Sequence, residues 1–162
     1  MKYNLLFLIC ITLNGCHKKM NTQNSDKKII IAHRGASGYL PEHTIEAKVM
    51  AYAMDADFIE QDIVLSKDNI PIVIHDIYLD DVTDVSEKFP KRHREDNRFY
   101  VIDFTFKELK TLRVSERFIP ETGEQVYKKR FPKEKGNFKL HCLQEEIELI
   151  QGLNLSTGKN IG

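Results

Sequence analysis

The chain is 162 residues long, 41% hydrophobic and 30% charged, with 24 basic and 24 acidic side chains and a formal net charge of zero. Zero net charge excludes a global field that would draw in nucleic acid or an acidic membrane, and no apolar run is long enough to span a bilayer. The length fits one domain of ordinary size.

Lys2 followed by the apolar run Leu5 to Leu13 predicts a targeting segment over 1–16, too short for a spanning helix. It closes on Leu13-Asn14-Gly15-Cys16, which resembles the lipobox of bacterial lipoproteins. Cys16 is then the expected lipidation site, with an exported chain anchored to the bacterial cell envelope, periplasmic or surface face; an ordinary signal peptide with a chance cysteine is the alternative. Residues 17–28 are polar and aperiodic and read as a flexible tether. Cys10 falls in the removed segment and Cys16 would be acylated, so Cys142 is the one thiol left and no intrachain disulfide is expected.

The body begins at Ile29. Ile29 to Ala32 is continuously apolar and predicts a strand buried on both faces of a parallel sheet. Gly35 and Gly38 permit a sharp loop, and Pro41 and Thr44 are start signals for a helix over 44–54, with Ile45, Val49, Met50, Ala53 and Met54 at helical spacing. Phe58 to Leu65 predicts a second strand, Lys67-Asp68-Asn69 a turn, and Pro71 to His75 a third strand. The turn is too short for a helical crossover, so the relative direction of strands two and three stays open. The order strand, helix, strand argues an α/β fold. From 79 to 137 the texture changes to an inserted lobe or long loop rather than core, with one short helix over 105–112. Its charge-dense run over 87–98 could meet a phosphate or a lipid head group, but a solvated face is the simpler reading. Leu143, Ile147, Leu149, Ile150 and Leu153 predict a helix ending near Gly152 and Asn154, and residues 157–162 look like the approach to a fourth strand.

The chemistry gathers at the strand ends. His33 and Arg34 follow the first strand, Glu60 and Asp62 lie on the second, and His75 closes the third. On a strand, residues two apart face one side at roughly 6–7 Å, so Glu60 and Asp62 repel unless a cation lies between them or one is protonated. Oxygen ligands favour Ca²⁺ or Mg²⁺ over Zn²⁺. Two imidazoles can divide proton removal from an attacking hydroxyl and proton delivery to a leaving alkoxide. Arg34 offers a planar fork for phosphate oxygens. His43 is a weaker candidate than His33, and His17, His93 and His141 have no such setting.

Ile31-Ala32-His33-Arg34-Gly35, Pro41-Glu42-His43-Thr44, Glu60-Gln61-Asp62 and His75-Asp76 resemble the signature blocks of the glycerophosphodiester phosphodiesterases. The similarity is closest to their exported bacterial branch, through Val82-Thr83-Asp84-Val85, Arg130-Phe131-Pro132 and the stretch from Ile150 to Lys159. The resemblance implies a (β/α)8 TIM barrel, of which this chain would supply the first three to four strands with an inserted lobe at about 79–137. It implies His33 and His75 as the acid–base pair, Arg34 as phosphate clamp, Glu60 and Asp62 as ligands of Ca²⁺ (Mg²⁺ possible in its place), and Glu42 as a site-positioning residue. The implied reaction is cleavage of a glycerophosphodiester such as glycerophosphocholine to sn-glycerol 3-phosphate and an alcohol. Ile77 stands where close relatives often have another histidine or proline. A further metal-binding glutamate of the family would follow the segment 159–162. Residues 29–162 are about half of a typical barrel of about 250 residues, so the expectation is an N-terminal portion of a longer enzyme, folding poorly and weakly active alone because its sheet edges are unpaired. Two alternatives stand beside this reading: a lipid-anchored surface protein that binds without catalysis, and a phospholipase D-like enzyme acting on lysophospholipid.

Overall fold

The computed structural model of the protein describes residues 28–162; the expected targeting segment with Cys16, and all but the last residue of the tether, lie outside the described residues. The chain is α/β. Strand β1 (Ile31–Ala32) pairs in parallel with β2 (Phe58–Ile59), connected by helix α1 (Ile45–Ala53). Thr44 starts α1: its hydroxyl accepts from the Ala47 amide at 3.2 Å and donates to the Pro41 carbonyl at 2.8 Å, satisfying an otherwise unpaired first-turn donor. A second sheet follows, in which β3 (Ile63–Leu65) runs antiparallel to β4 (Pro71–Val73).

The expected single strand over 58–65 is therefore two strands in two sheets. Glu60-Gln61-Asp62 forms the link between them, outside any ladder. The direction of strands two and three, open in the sequence, is settled by the short turn at 66–69, which permits only the antiparallel hairpin. The first strand is also not buried on both faces: Ile29, Ile30 and Ile31 are 65, 58 and 60% exposed, because among the described residues β1 has β2 as its one strand partner.

The segment 79–137 carries short helices α2 (Val85–Lys88) and α3 (Phe106–Leu109) and a 3₁₀ turn at Val101–Asp103. Thr105 and Glu108 form a reciprocal capping box at the start of α3. This segment corrects the expectation most sharply. It is core, not cover: Leu79, Val85, Val101, Phe104, Leu109 and Leu112 are fully shielded and pack with Ile72 and Ile74 of the β4 region. Its basic run is solvated, with Arg92 paired to Glu108, Arg94 to Asp103, and Arg98 to Asp80 and Asp81.

Helix α4 (Leu143–Thr157) runs past Gly152 and ends at Gly158, whose φ of 71° gives the left-handed cap, with its amide donating to the Asn154 carbonyl at 2.9 Å. Beyond it, the Gly162 amide donates to Asp57 and the Gly162 carbonyl accepts from Ile59 at 2.7 Å. That is the bonding pattern of a strand entering beside β2 in parallel. A smaller apolar cluster of Ala51, Tyr52, Ile59 and Ile161 fills the space under it. No helix among the described residues is long and apolar enough to cross a membrane.

Candidate active site

Helix α1 does not bury the stripe of apolar residues seen at helical spacing. Its buried positions are Ala47, Lys48, Ala51 and Tyr52, while Val49 and Met54 are exposed. Ala47 faces the core because the loop after β1 crosses there: a Cβ at Gly35, where φ is +82°, would lie 2.9 Å from the Ala47 carbonyl carbon. The loop is thereby pressed onto α1. Arg34 and His43 at its two ends adopt left-handed backbone, with φ of 61° and 58°, an uncommon conformation for either residue type that surrounding contacts must hold. The His43 amide donates to the Arg34 carbonyl at 3.0 Å and closes the loop.

This conformation turns Arg34 toward three carboxylates. Its amide donates to Glu60 Oε2 at 2.7 Å, and its Nη1 donates to both Glu42 oxygens at 3.1 Å. Asp62 Oδ2 lies 3.7 Å from Arg34 Nε, too far for a hydrogen bond, so Nε is buried without a hydrogen-bond partner and Nη2 has none among the described residues. The Nε–Nη2 edge of the fork is thus unfilled. Burial pushes the Glu42 carboxyl up, but the hydrogen bond and charge of Arg117 and the charge of Arg34 outweigh it and hold the group below its ordinary range. Glu42 is an anion that anchors the other edge of the guanidinium.

His43 Nε2 lies 3.1 Å from Asp62 Oδ2. Burial, with the neighbouring Lys48 and Arg34 charges, pushes the imidazole down to about 3, so the ring is neutral and Nε2 donates to the carboxylate. His43 Nδ1 then remains a buried acceptor without a partner among the described residues. The weaker candidate of the sequence reading is the imidazole in contact with Asp62. Glu60 and Asp62 each keep a second carboxylate oxygen with no hydrogen-bond partner among the described residues. Those two hard donors fit a Ca²⁺ or Mg²⁺ ion in kind. Among the described residues no group of three or more His, Cys, Asp or Glu side chains converges for a metal.

His75 follows β4 and is half-exposed; its Nδ1 lies 2.8 Å from Asp76 Oδ1. Asp76 Oδ2 pairs with Arg117 Nη1 at 2.6 Å, and Arg117 Nη2 donates to Glu42 Oε1 at 2.6 Å. Ion pairs and hydrogen bonds therefore run from His75 through Asp76, Arg117, Glu42 and Arg34 to Glu60, Asp62 and His43. His33 stands apart from that run. Its ring is exposed, borders an apolar hollow of about 320 Å³ with Ala32, Gly35 and Tyr39, and has no side-chain hydrogen bond among the described residues.

Two contributors escaped the sequence reading. Arg117 lies 75 residues from Glu42 in the chain and carries no local signal. Lys48 did leave one, as the single cation in the apolar run Ala47-Lys48-Val49-Met50-Ala51. Fully buried, it donates to the Glu60 carbonyl at 2.6 Å and pairs with Glu146 Oε1 of α4 at 3.2 Å, while Glu146 Oε2 contacts His141 Nε2 at 2.8 Å. A lysine here fills the carbonyl left unpaired where β2 stops.

A left-handed loop presenting an arginine fork to paired acids, with a carboxylate-backed histidine nearby, is the equipment of a phosphoester site. Residues 33–162 match the model of the glycerophosphoryl diester phosphodiesterase family, and the chain belongs to that family. It is 56% identical over 164 residues to a glycerophosphodiester phosphodiesterase of Haemophilus influenzae, covering 98% of this chain and 45% of that protein. It is 47% identical over 156 residues to a glycerophosphodiester phosphodiesterase of Treponema pallidum, covering 94% of this chain and 44% of the relative. Among solved structures it resembles a phosphodiesterase of Oleispira antarctica in complex with the product sn-glycerol 3-phosphate, with a TM-score of 0.53 at 28% identity, covering 77% of this chain and 40% of that one. The chain thus spans a little under half the length of the curated relatives it matches.

Proposed function

We propose that the chain carries the phosphate-binding and acid–base half of a glycerophosphodiester phosphodiesterase, hydrolysing substrates such as glycerophosphocholine to sn-glycerol 3-phosphate and an alcohol. The observation that carries this reading is Arg34, whose Nη1 is taken by Glu42 while its buried Nε has the Asp62 charge at 3.7 Å but no hydrogen bond among the described residues. Two parallel donors on a planar fork match two phosphate oxygens. A phosphate seated there would give Nε the hydrogen bond it lacks among the described residues.

Glu60 and Asp62 would hold the divalent ion, Ca²⁺ with Mg²⁺ as the alternative. When bound, that ion supplies positive charge against the negative charge that builds on the phosphoryl oxygens. His75 and His33 are the acid–base pair. One imidazole takes the proton of the attacking hydroxyl, whose oxygen forms the new P–O bond, and the other returns a proton to the alkoxide as the old P–O bond breaks. Glu42 orients Arg34, and the neutral His43 fixes the Asp62 carboxylate. We further propose that the described residues form the opening strands of a (β/α)8 barrel, with 79–137 inserted between its elements. Export and anchoring at the Cys16 thiol complete the reading.

Release of sn-glycerol 3-phosphate from glycerophosphocholine tests it, run with Ca²⁺ and with chelator, and with lysophosphatidylcholine as the competing substrate. Chelator-sensitive release that falls about a hundredfold or more in Arg34→Met and His75→Ala is the expected result. Turnover of lysophosphatidylcholine alone moves the substrate class to intact lysophospholipid. Absence of turnover on both substrates, in this chain and in the longer enzyme of which it is expected to be a portion, overturns the enzymatic reading and favours a binding role.

A further inference from the structure

We infer that Arg117, contributed by the 79–137 segment, is a positioning residue for His75, holding the Asp76 carboxylate so that His75 keeps its proton on Nδ1 and presents a bare Nε2. The inference deepens the proposed function, since the use of that bare nitrogen rests on His75 being an acid–base group.

The geometry is that of a carboxylate pinned at both oxygens. Asp76 Oδ1 meets His75 Nδ1 at 2.8 Å, and Asp76 Oδ2 meets Arg117 Nη1 at 2.6 Å. His75 and Asp76 are adjacent in the chain and half-exposed, so their contact alone leaves the carboxylate free to rotate into solvent. Arg117 removes that freedom because it is itself fixed. Its Nη2 donates to Glu42 Oε1 at 2.6 Å, Glu42 is buried against Arg34, and Asp81 Oδ2 stands 3.5 Å from Nη1. A guanidinium can hold two carboxylates in one plane, which an ammonium cannot do with the same geometry.

The proton assignment follows from Asp76. Burial pushes its carboxyl up, but the hydrogen bond and charge of Arg117, and then the contact with His75, outweigh burial and hold it below its ordinary range. An ionised carboxylate is acceptor-only, so Nδ1 is the donor in the contact with Asp76, and in the neutral ring Nε2 carries the lone pair. When Nε2 takes the proton of an attacking hydroxyl, the electron pair of the O–H bond stays on oxygen to form the bond to phosphorus. The imidazolium so formed faces the anion that Arg117 holds in place. Arg117 also joins the two ends of the site, because the same side chain anchors Glu42 and through it Arg34.

The test reads the His75 tautomer by ¹⁵N–¹H multiple-bond NMR in the unaltered chain and in Arg117→Met, Arg117→Lys and Asp76→Ala. The unaltered chain is expected to show neutral His75 mainly in the Nδ1–H form. Asp76→Ala and Arg117→Met shift it toward Nε2–H, and Arg117→Lys shifts it less. If Arg117→Met does not fold, the Lys variant decides. A tautomer that moves in Asp76→Ala and stays put in a folded Arg117 variant overturns the inference, as does a His75 that is mainly Nε2–H in the unaltered chain. In the hydrolysis assay Arg117→Met lowers kcat by about tenfold, part of what a placed acid–base group contributes; an unchanged kcat overturns it too. An inactive parent chain with the expected tautomers sinks the functional reading alone and leaves the role of Arg117 standing.

Discussion

Residues 29–65 hold most of the candidate site yet bury little of their apolar surface, whereas residues 72–142 hold few candidate groups and most of the core. In the first region Ile31, Phe58, Ile63 and Leu65 are each about half exposed, and the associated cluster is small. In the second, Phe104, Leu109 and Leu112 are fully shielded inside one continuous cluster. Regular strands are thus no guide here to where the burial lies. The site is held by charged struts: Arg117 reaches from the second region to Glu42 of the first, and Lys48 ties the Glu60 link to Glu146 of α4, beyond both regions. Buried ion pairs contribute little net stability against an apolar alternative, but removing one partner is costly, which suits parts that must fix geometry rather than supply cohesion.

The contrast can be broken by substitution. Phe104→Ala should destabilise by about 3–5 kcal/mol, as aromatic deletions in full cores do, and by clearly more than Ile59→Ala in the small cluster. Urea unfolding checks this, and equal losses would mean that the two regions are cored alike. Lys48→Met strands Glu146 beside His141 and should cost about 3–5 kcal/mol, most of it regained when Glu146→Leu is added; a double variant as unstable as the single would deny the strut. Gly35→Ala meets both a positive φ and the backbone of Ala47. It should lose about 1–3 kcal/mol, read as a lowered Tm.

The smallest expected effect is in the pH dependence. Glu116 is buried, its two oxygens have no hydrogen-bond partner among the described residues, and burial pushes its carboxyl up to about 7, partly offset by Arg130. The folded state therefore keeps a proton that the unfolded chain has released above its ordinary value of 4.5. This contribution to stability is complete below that value and is lost as pH rises through about 7. Glu116→Gln should hold its Tm better than the parent between pH 5 and pH 8; identical pH profiles would show that Glu116 is ionised in the folded chain.

Much of the site was legible because it is local. The loop from His33 to Thr44 carries its own turn and cap signals, and Glu60 with Asp62 stands out as paired acids in an apolar run. The break at 60–62 was not legible, because apolar, β-branched residues of strand type stand on both sides of it while the two ends pair with different partners. The core of 79–142 was hidden for another reason: Leu79, Val82, Val101, Phe104, Leu112 and Val114 sit on irregular backbone, so no period of two or 3.6 marks them. Lys48 was hidden by a rule that is usually right, since lysine is rarely fully buried unless paired. Its partner Glu146 lies beyond the reach of local pattern.

Native-state hydrogen exchange on the unaltered chain tests most directly whether the site rests on a weakly cored region strapped to a strongly cored one. The amides of Val101, Phe104, Leu109 and Val114, all hydrogen-bonded in the large cluster, should exchange slowest, near the global unfolding limit. Those of Phe58, Ile59 and Glu60 should exchange well before them. Protection greatest at Phe58 to Glu60 and least across 101–114 would contradict the account.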